Sequence, residues 1–461
     1  MRSYGAFILI CLFAVSLSGK KPNVLIIVSD DMGWDDIGYV NPVVKTPNLD
    51  RLASEGVRFE RFYANPLCSV TRAALMTGRA TLVTGVSNRR GLPLHYPIMA
   101  ESFKEAGYTT WMLGKWHLGG SRNNRFNTPD YLPHNRGFDH FYGHLNGALH
   151  YINHTVGSAD GVPDWWRNSK PVKEEGFQTA LLTNEAILKI EERDKDTPFF
   201  LYLAYHAPHT PLSEPPSGME QYPNIKDASQ KLVYANTTFM DTEIGRLVEV
   251  LKDRDELENT LIFFFNDNGG VPRSGSSNLP LRAQKGTVYE GGIRVRAFAR
   301  WPKELPQGST NYQFMCVMDL FPTLSHAAGV SLPETLTFDG VDLWGPMVRD
   351  NESSRPDFVM GNTDIAVYRP PWKLVIPARG ASQLYDIVND PYEKRDQSRQ
   401  NLKIVNELSV VGQAMIAKAE VSPLQNASAA RGGRGGRAGG ARGGVGRDRG
   451  AVRPNSGARG N

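Results

Sequence analysis

Three apolar runs in this chain break off in polar residues at their C-terminal ends. Val24-Leu25-Ile26-Ile27-Val28 stops at Ser29-Asp30-Asp31, and Phe199-Phe200-Leu201-Tyr202-Leu203 stops shortly before His206 and His209. Leu261-Ile262-Phe263-Phe264-Phe265 stops at Asn266-Asp267-Asn268-Gly269-Gly270. A run without polar alternation is the pattern of a strand buried on both faces of a parallel sheet. Between the runs, residues 180–193 and 229–252 carry apolar positions at helical spacing, and Thr46-Pro47-Asn48-Leu49-Asp50 reads as a capped helix start with Pro in the first turn. Strands alternating with helices predict an α/β domain with a mostly parallel central sheet flanked by helices. Ligands of such sheets bind beyond the carboxyl ends of the strands.

The texture changes after about residue 345. Ala366-Val367-Tyr368-Arg369, Trp372-Lys373-Leu374-Val375 and Gln383-Leu384-Tyr385-Asp386 are short strand-like pieces between turns, and residues 402–419 read as a terminal helix. The organisation expected is a large domain over 20–345, a small C-terminal domain with an antiparallel sheet and a terminal helix over 346–420, and a tail over 421–461. Arg-Gly-Gly repeats in the tail bury no apolar area, so it is expected to be disordered. Residues 1–18 read as an export signal. Arg2 precedes an apolar core too short to span a bilayer, and Ser16 and Ser18 offer small residues for cleavage.

Composition changes this picture in two places. The 461 residues, 40% hydrophobic and 22% charged, are globular values and exclude a membrane-embedded or wholly disordered chain. The net charge of +4 belongs to the tail, where residues 431–461 hold eight Arg and one Asp, leaving the remainder mildly acidic. On an exported chain the basic tail reads as a solvated segment, or one that contacts acidic polysaccharide, and no nucleic-acid partner is expected. Cys11 leaves with the signal, so Cys68 and Cys316 remain, too few for a disulfide scaffold. Either they pair or Cys68 is kept for chemistry. The second reading is favoured because Cys316 sits in an apolar run.

Asp30, Asp31, Asp267 and Asn268 are four oxygen donors from two strand ends, a set suited to a hard divalent cation such as Ca²⁺. No Cys/His spacing of a zinc site is present. Asn65-Pro66-Leu67-Cys68-Ser69-Val70-Thr71-Arg72 places a Cys ahead of a helix-like run, with an Arg four positions on. Further pieces are Gly114-Lys115-Trp116-His117-Leu118-Gly119, Arg136-Gly137-Phe138-Asp139, Ala207-Pro208-His209-Thr210-Pro211-Leu212, Leu281-Arg282-Ala283-Gln284-Lys285 and Asp319-Leu320-Phe321-Pro322-Thr323.

In joint order and spacing these pieces resemble the type I, formylglycine-dependent sulfatases over residues 22–400, and most nearly the arylsulfatase B (N-acetylgalactosamine-4-sulfatase) branch. The resemblance implies an alkaline-phosphatase-like fold and hydrolysis of a sulfate ester. It implies that a formylglycine-generating or radical sulfatase-maturing enzyme oxidises Cys68 to formylglycine, whose hydrated form attacks sulfur. It further implies that Asp30, Asp31, Asp267 and Asn268, with residue 68, hold Ca²⁺. By the same resemblance Arg72 would hold the formylglycine hydroxyl, Lys115 and Lys285 would contact sulfate, His209 would protonate the leaving alcohol, and His117 would deprotonate the second hydroxyl. The chain departs from the family motif at Val70, where the motif has Pro. Val restores the backbone N–H but also favours extended backbone, so conversion of Cys68 is expected to be reduced or to need a tolerant maturase.

The substrate expected is a sulfated carbohydrate, with galactosamine or galactose units in view, or an aryl sulfate. Asn123, Asn124, Tyr131, His134, His144, Asn146, His150, Trp165 and Trp166 are the groups expected to wall a sugar pocket. Two alternatives stay open: a phosphatase or phosphonate monoester hydrolase of the same superfamily, and a non-catalytic binder of sulfated glycans with Cys68 unmodified.

Overall fold

The structure, a computed structural model, describes residues 20–87, 90–120 and 129–420. The export signal, the basic tail, Asn123 and Asn124 lie outside these residues. A sheet of eleven strands forms the centre. In chain order these are β1 (Asn23–Ser29), β2 (Val57–Tyr63), β3 (Thr109–Lys115), β4 (His140–His144), β5 (Trp166–Arg167), β6 (Lys170–Pro171), β7 (Phe199–Ala204), β8 (Thr260–Asn266), β9 (Arg294–Arg300), β10 (Ser309–Asn311) and β11 (Met315–Cys316). The order across the sheet is β10-β2-β9-β8-β1-β7-β3-β4-β5-β6, with β11 beside β2. The five strands β8-β1-β7-β3-β4 run parallel, while β9 is antiparallel to both of its neighbours.

The three apolar runs are therefore the adjacent strands β8, β1 and β7 at the middle of the sheet. Alternate residues of β1 face opposite layers. Val24, Ile26 and Val28 enter one core with the helices Cys68–Thr77, Met99–Glu105 and Leu320–Ala327. Leu25 and Ile27 enter another with the helices Gln178–Glu192 and Ala228–Asp253. Both faces of β1 are fully buried, which is why the run needs no polar alternation.

The helix Pro47–Ser54 begins where expected, but Thr46 does not cap it. The Thr46 hydroxyl donates to Asp50 (2.9 Å) instead, and Asp241, from the helix Ala228–Asp253, accepts from the backbone N–H groups of Asn48 (3.2 Å) and Leu49 (2.7 Å). A carboxylate from another element takes the cap because two orphan N–H groups and the helix dipole favour an anion there.

The C-terminal part builds a four-stranded antiparallel sheet, β12 (Phe358–Gly361), β13 (Ile365–Arg369), β14 (Trp372–Ile376) and β15 (Gln383–Asp386), in that order. Its own core packs under the terminal helix Leu402–Glu420. Buried Lys373 of β14 lies 2.8 Å from both Glu290 and Glu393, and Tyr63 of β2 and Tyr368 of β13 donate to Glu290. Residues 20–420 thus share one compact unit.

Candidate active site

Parallel adjacency of β8, β1, β7 and β3 brings their C-terminal ends to one edge. Asp267 and Asn268 follow β8, Asp30 and Asp31 follow β1, His206 and His209 follow β7, and Lys115 closes β3 with His117 two residues on. Ligand atoms of Asp30, Asp31, Cys68 and His209 all lie within 4.8 Å of one another, a group able to hold a metal ion. Asp31 and His117 carry φ of 63° and 55°, a left-handed backbone that non-glycine residues adopt at some cost. The turn at Asp31 lets two consecutive carboxylates serve one site. His117 has likewise left the extended conformation, so its place beside Lys115 is set by a turn and not by strand alternation.

Cys68 is the first residue of the helix Cys68–Thr77, every residue of which is buried. Gly78 ends that helix at φ 63°, a conformation glycine adopts without penalty. Lys285 reaches Cys68 Sγ at 3.3 Å and forms a short contact with Asp31. Lys115 forms a short contact with Asp30. Arg72 donates to Asp267 Oδ2 (2.7 Å) and to the Lys115 carbonyl (2.6 Å), so it ties together the ends of β8 and β3. His209 Nε2 lies 3.4 Å from Asp31 and His206 Nδ1 lies 3.4 Å from Asp30. Trp116, between Lys115 and His117, is packed in the core and donates to the Tyr131 carbonyl at 2.9 Å.

A cavity of about 390 Å³ opens here, lined by Cys68, His117, Asn146, His209 and Lys285 among others. It brings four of the expected catalytic residues to one surface. Arg72 and Lys115 lie beneath it, buried against the carboxylates. His206 is fully buried behind the cavity. Of the groups expected to wall a sugar pocket, Asn146 does line this cavity. His144 and Trp165 do not: His144 meets His206 edge-on, and Trp165 meets Tyr142 edge-on and stacks on His154. Trp165 instead lines a separate cavity of about 460 Å³ together with His154 and Pro163. Cys68 and Cys316 are both free and buried, and no disulfide links them.

Burial would raise Asp30, but Lys115, His209, His206 and Arg72 together hold it well below the usual carboxylate range. Burial and the neighbouring Asp30 push Asp267 up to about 7, against Arg72 and Lys115. Burial brings His209 down to about 3 and also holds His117 low, so both imidazoles are neutral in the substrate-free site. Burial, together with Asp30, pushes the Cys68 thiol up to about 12.

The site suits a hard cation. Asp30 Oδ1 and Asn268 Oδ1 are buried and have no hydrogen-bond partner among the described residues, a costly state for polar oxygens that ligation would relieve. The donors at the ends of β1 and β8 are three carboxylates and one amide, the oxygen set that Ca²⁺ prefers. Sequence reasoning passed over Asp164, the buried partner of Asn146. A single acidic residue in a loop carries no spacing signal.

The sulfatase family profile matches residues 22–330. The chain belongs to the sulfatase family. It is 34% identical over 357 residues to arylsulfatase J of Mus musculus, covering 75% of this chain and 58% of the relative's length. It is 36% identical over 383 residues to N-acetylgalactosamine-6-sulfatase of Canis lupus familiaris, covering 76% of this chain and 70% of that protein. The crystal structure of Ps i-CgsB in complex with k-i-k-neocarrahexaose superposes with a TM-score of 0.80 at 33% identity, covering 87% of this chain and 93% of the other. The fold is that of the alkaline-phosphatase-like sulfatases, with a mostly parallel central sheet and a C-terminal antiparallel sheet. These relatives place the chain in the family without singling out the arylsulfatase B branch. No helix among the described residues is long and apolar enough to cross a membrane.

Proposed function

We propose that this protein is an exported sulfatase that removes sulfate from a sulfated carbohydrate containing galactose or galactosamine units, with Cys68 matured to formylglycine. One observation carries the reading: Cys68 heads a buried helix and lines a cavity 3.3 Å from Lys285, with two carboxylates and His209 around it. The sugar class is supported by the N-acetylgalactosamine-6-sulfatase and neocarrahexaose-bound relatives.

Asp30, Asp31, Asp267 and Asn268 would hold a calcium ion, with residue 68 facing it. Such an ion supplies Lewis-acid polarisation of the sulfate oxygens. Residue 68, as hydrated formylglycine, presents a hydroxyl to sulfur at a helix N-terminus, where backbone N–H groups favour an anion, and gives up that hydroxyl's proton to a carboxylate of the Asp30–Asp31–Asp267 cluster as the O–S bond forms. Arg72 holds that hydroxyl in line while its ion pair with Asp267 fixes the guanidinium. Lys115 and Lys285 offset negative charge growing on the sulfate oxygens. Incoming sulfate favours protonation of the otherwise neutral His209, which with Lys285 delivers a proton to the ester oxygen as the S–O bond to the alcohol breaks. His117 takes the proton of the second hydroxyl on residue 68. Collapse to the aldehyde then releases sulfate, and water restores the hydrate.

The test is the mass of the tryptic peptide spanning residues 62–72, from protein made in its native host, beside turnover of nitrophenyl sulfate and nitrophenyl phosphate. An aldehyde in place of the thiol, with sulfate turned over in preference to phosphate, is the expected result. An intact thiol throughout would leave a glycan-binding protein, and preference for phosphate would make it a phosphatase.

A further inference from the structure

Asn146 stands on the cavity wall with Cys68, His117, His209 and Lys285, and its amide is not free to turn. Asp164 accepts from the Asn146 backbone N–H (2.8 Å), the Asn146 Nδ2 (2.9 Å), the Leu145 N–H (3.2 Å) and Trp166 Nε1 (2.8 Å). Four donors on one buried carboxylate fix which end of the Asn146 amide carries the nitrogen. The other end is the carbonyl oxygen. Among the described residues no donor reaches it, and it is not among the buried unsatisfied atoms, so it meets the cavity.

The segment around it is tied to the candidate catalytic groups. Trp116 and His117 donate their backbone N–H groups to the carbonyls of His144 (2.9 Å) and Leu145 (3.2 Å). Gly147 lies so close to His117 that a β-carbon there would sit 2.6 Å from the ring Cε1. Asn146 is thus held in register with the imidazole.

Resting on the sulfatase reading above, we propose that Asn146, oriented by Asp164, is a specificity-determining residue that accepts a hydrogen bond from a free hydroxyl neighbouring the sulfate ester on the sugar ring. A fixed acceptor discriminates in two ways. A ring that offers a hydroxyl satisfies it. A ring with a second sulfate or a deoxy carbon at that place does not, because sulfate has no proton to give and a missing hydroxyl leaves the oxygen unpaired.

The experiment compares wild type, Asn146→Ala and Asp164→Asn on nitrophenyl sulfate, which has no hydroxyl, and on galactose and N-acetylgalactosamine sulfated at position 4 or 6. The expected result is about a tenfold loss of kcat/KM on the best sugar for Asn146→Ala, near the net value of one hydrogen bond to a neutral group, with nitrophenyl sulfate changed less than twofold. Asp164→Asn should show the same split, since its amide leaves the Asn146 side chain free to turn. Equal losses on both substrates, or no loss on either, would overturn the proposal and leave the sulfatase reading standing. Wild type inactive on every sulfate ester would overturn both.

Discussion

Val70 shows how one residue answers to two demands. In the folded protein it is fully buried, the third residue of the helix that starts at Cys68, and its carbonyl accepts from Thr81 Oγ1 at 3.1 Å. Cys68 is buried in the same turn, so a maturase that reads an extended motif must act before this helix forms. Proline at residue 70 would favour the extended form and, in the first helical turn, would forfeit only an N–H without an intrahelical partner. Val70→Pro is therefore expected to raise the aldehyde fraction of the 62–72 peptide by mass spectrometry, with stability close to wild type. An unchanged fraction would show that residue 70 does not limit conversion.

Asp36 poses a different residue-scale problem. Its buried carboxylate accepts from the N–H groups of Gly33 (2.8 Å) and Ser277 (3.1 Å), yet burial pushes its pKa up to about 7 from 3.8. A carboxyl raised in the folded state contributes fully below the unfolded pKa. That contribution is lost as pH climbs, because between about 4 and 7 the unfolded chain releases the proton first. Asp36→Asn keeps an acceptor there but has no proton to lose. Its melting temperature relative to wild type should rise from pH 4 to pH 8, by the equivalent of roughly 2–4 kcal/mol at most. A gap independent of pH would mean that Asp36 is ionised throughout.

At the scale of elements, the join between the two sheets hangs on Lys373, which is fully buried between Glu290 and Glu393. Glu290 opens the turn whose Gly292 carbonyl accepts from the Gly269 N–H (3.0 Å), next to Asn268. Lys373→Met leaves Glu393 without its cation and Glu290 with only Arg294 (3.5 Å) and two tyrosine hydroxyls, so urea unfolding should show a loss of about 3–5 kcal/mol. A loss below about 1 kcal/mol would mean that one of the acids is already neutral. The elements also separate what was legible in the chain. β1, β7 and β8 are visible because both faces of each are apolar. β9 is not, since Arg294, Arg296 and Arg300 interrupt it. Arg296 and Arg300 are buried because Glu60 pairs with the first and Glu55 and Glu258 with the second, while Trp34 lies 3.4 Å under the Arg296 guanidinium. No local pattern announces partners more than thirty residues away.

At the scale of the molecule, three carboxylates and three cations meet at the end of four strands, with two oxygens unsatisfied. A divalent cation that binds only this folded arrangement stabilises it by mass action, about 2.7 kcal/mol at a hundredfold excess over Kd. The melting temperature should therefore fall on dialysis against a chelator and recover with Ca²⁺ in preference to Zn²⁺. Identical melting with and without the ion would leave the oxygen cluster a network of ion pairs only.

The α/β class, the three central strands and the antiparallel C-terminal sheet were already legible in the sequence, and its motifs put forward Asp30 to Lys285 as candidates for one site. Each of these is written in local periodicity or in a short motif. The tertiary structure alone decided that β8, β1, β7 and β3 are neighbours and that Asp241 caps a distant helix. It also put His144 in the core and Asp164 within hydrogen-bond reach of Asn146. Those outcomes depend on which surfaces bury against each other, and burial is settled by the whole chain at once.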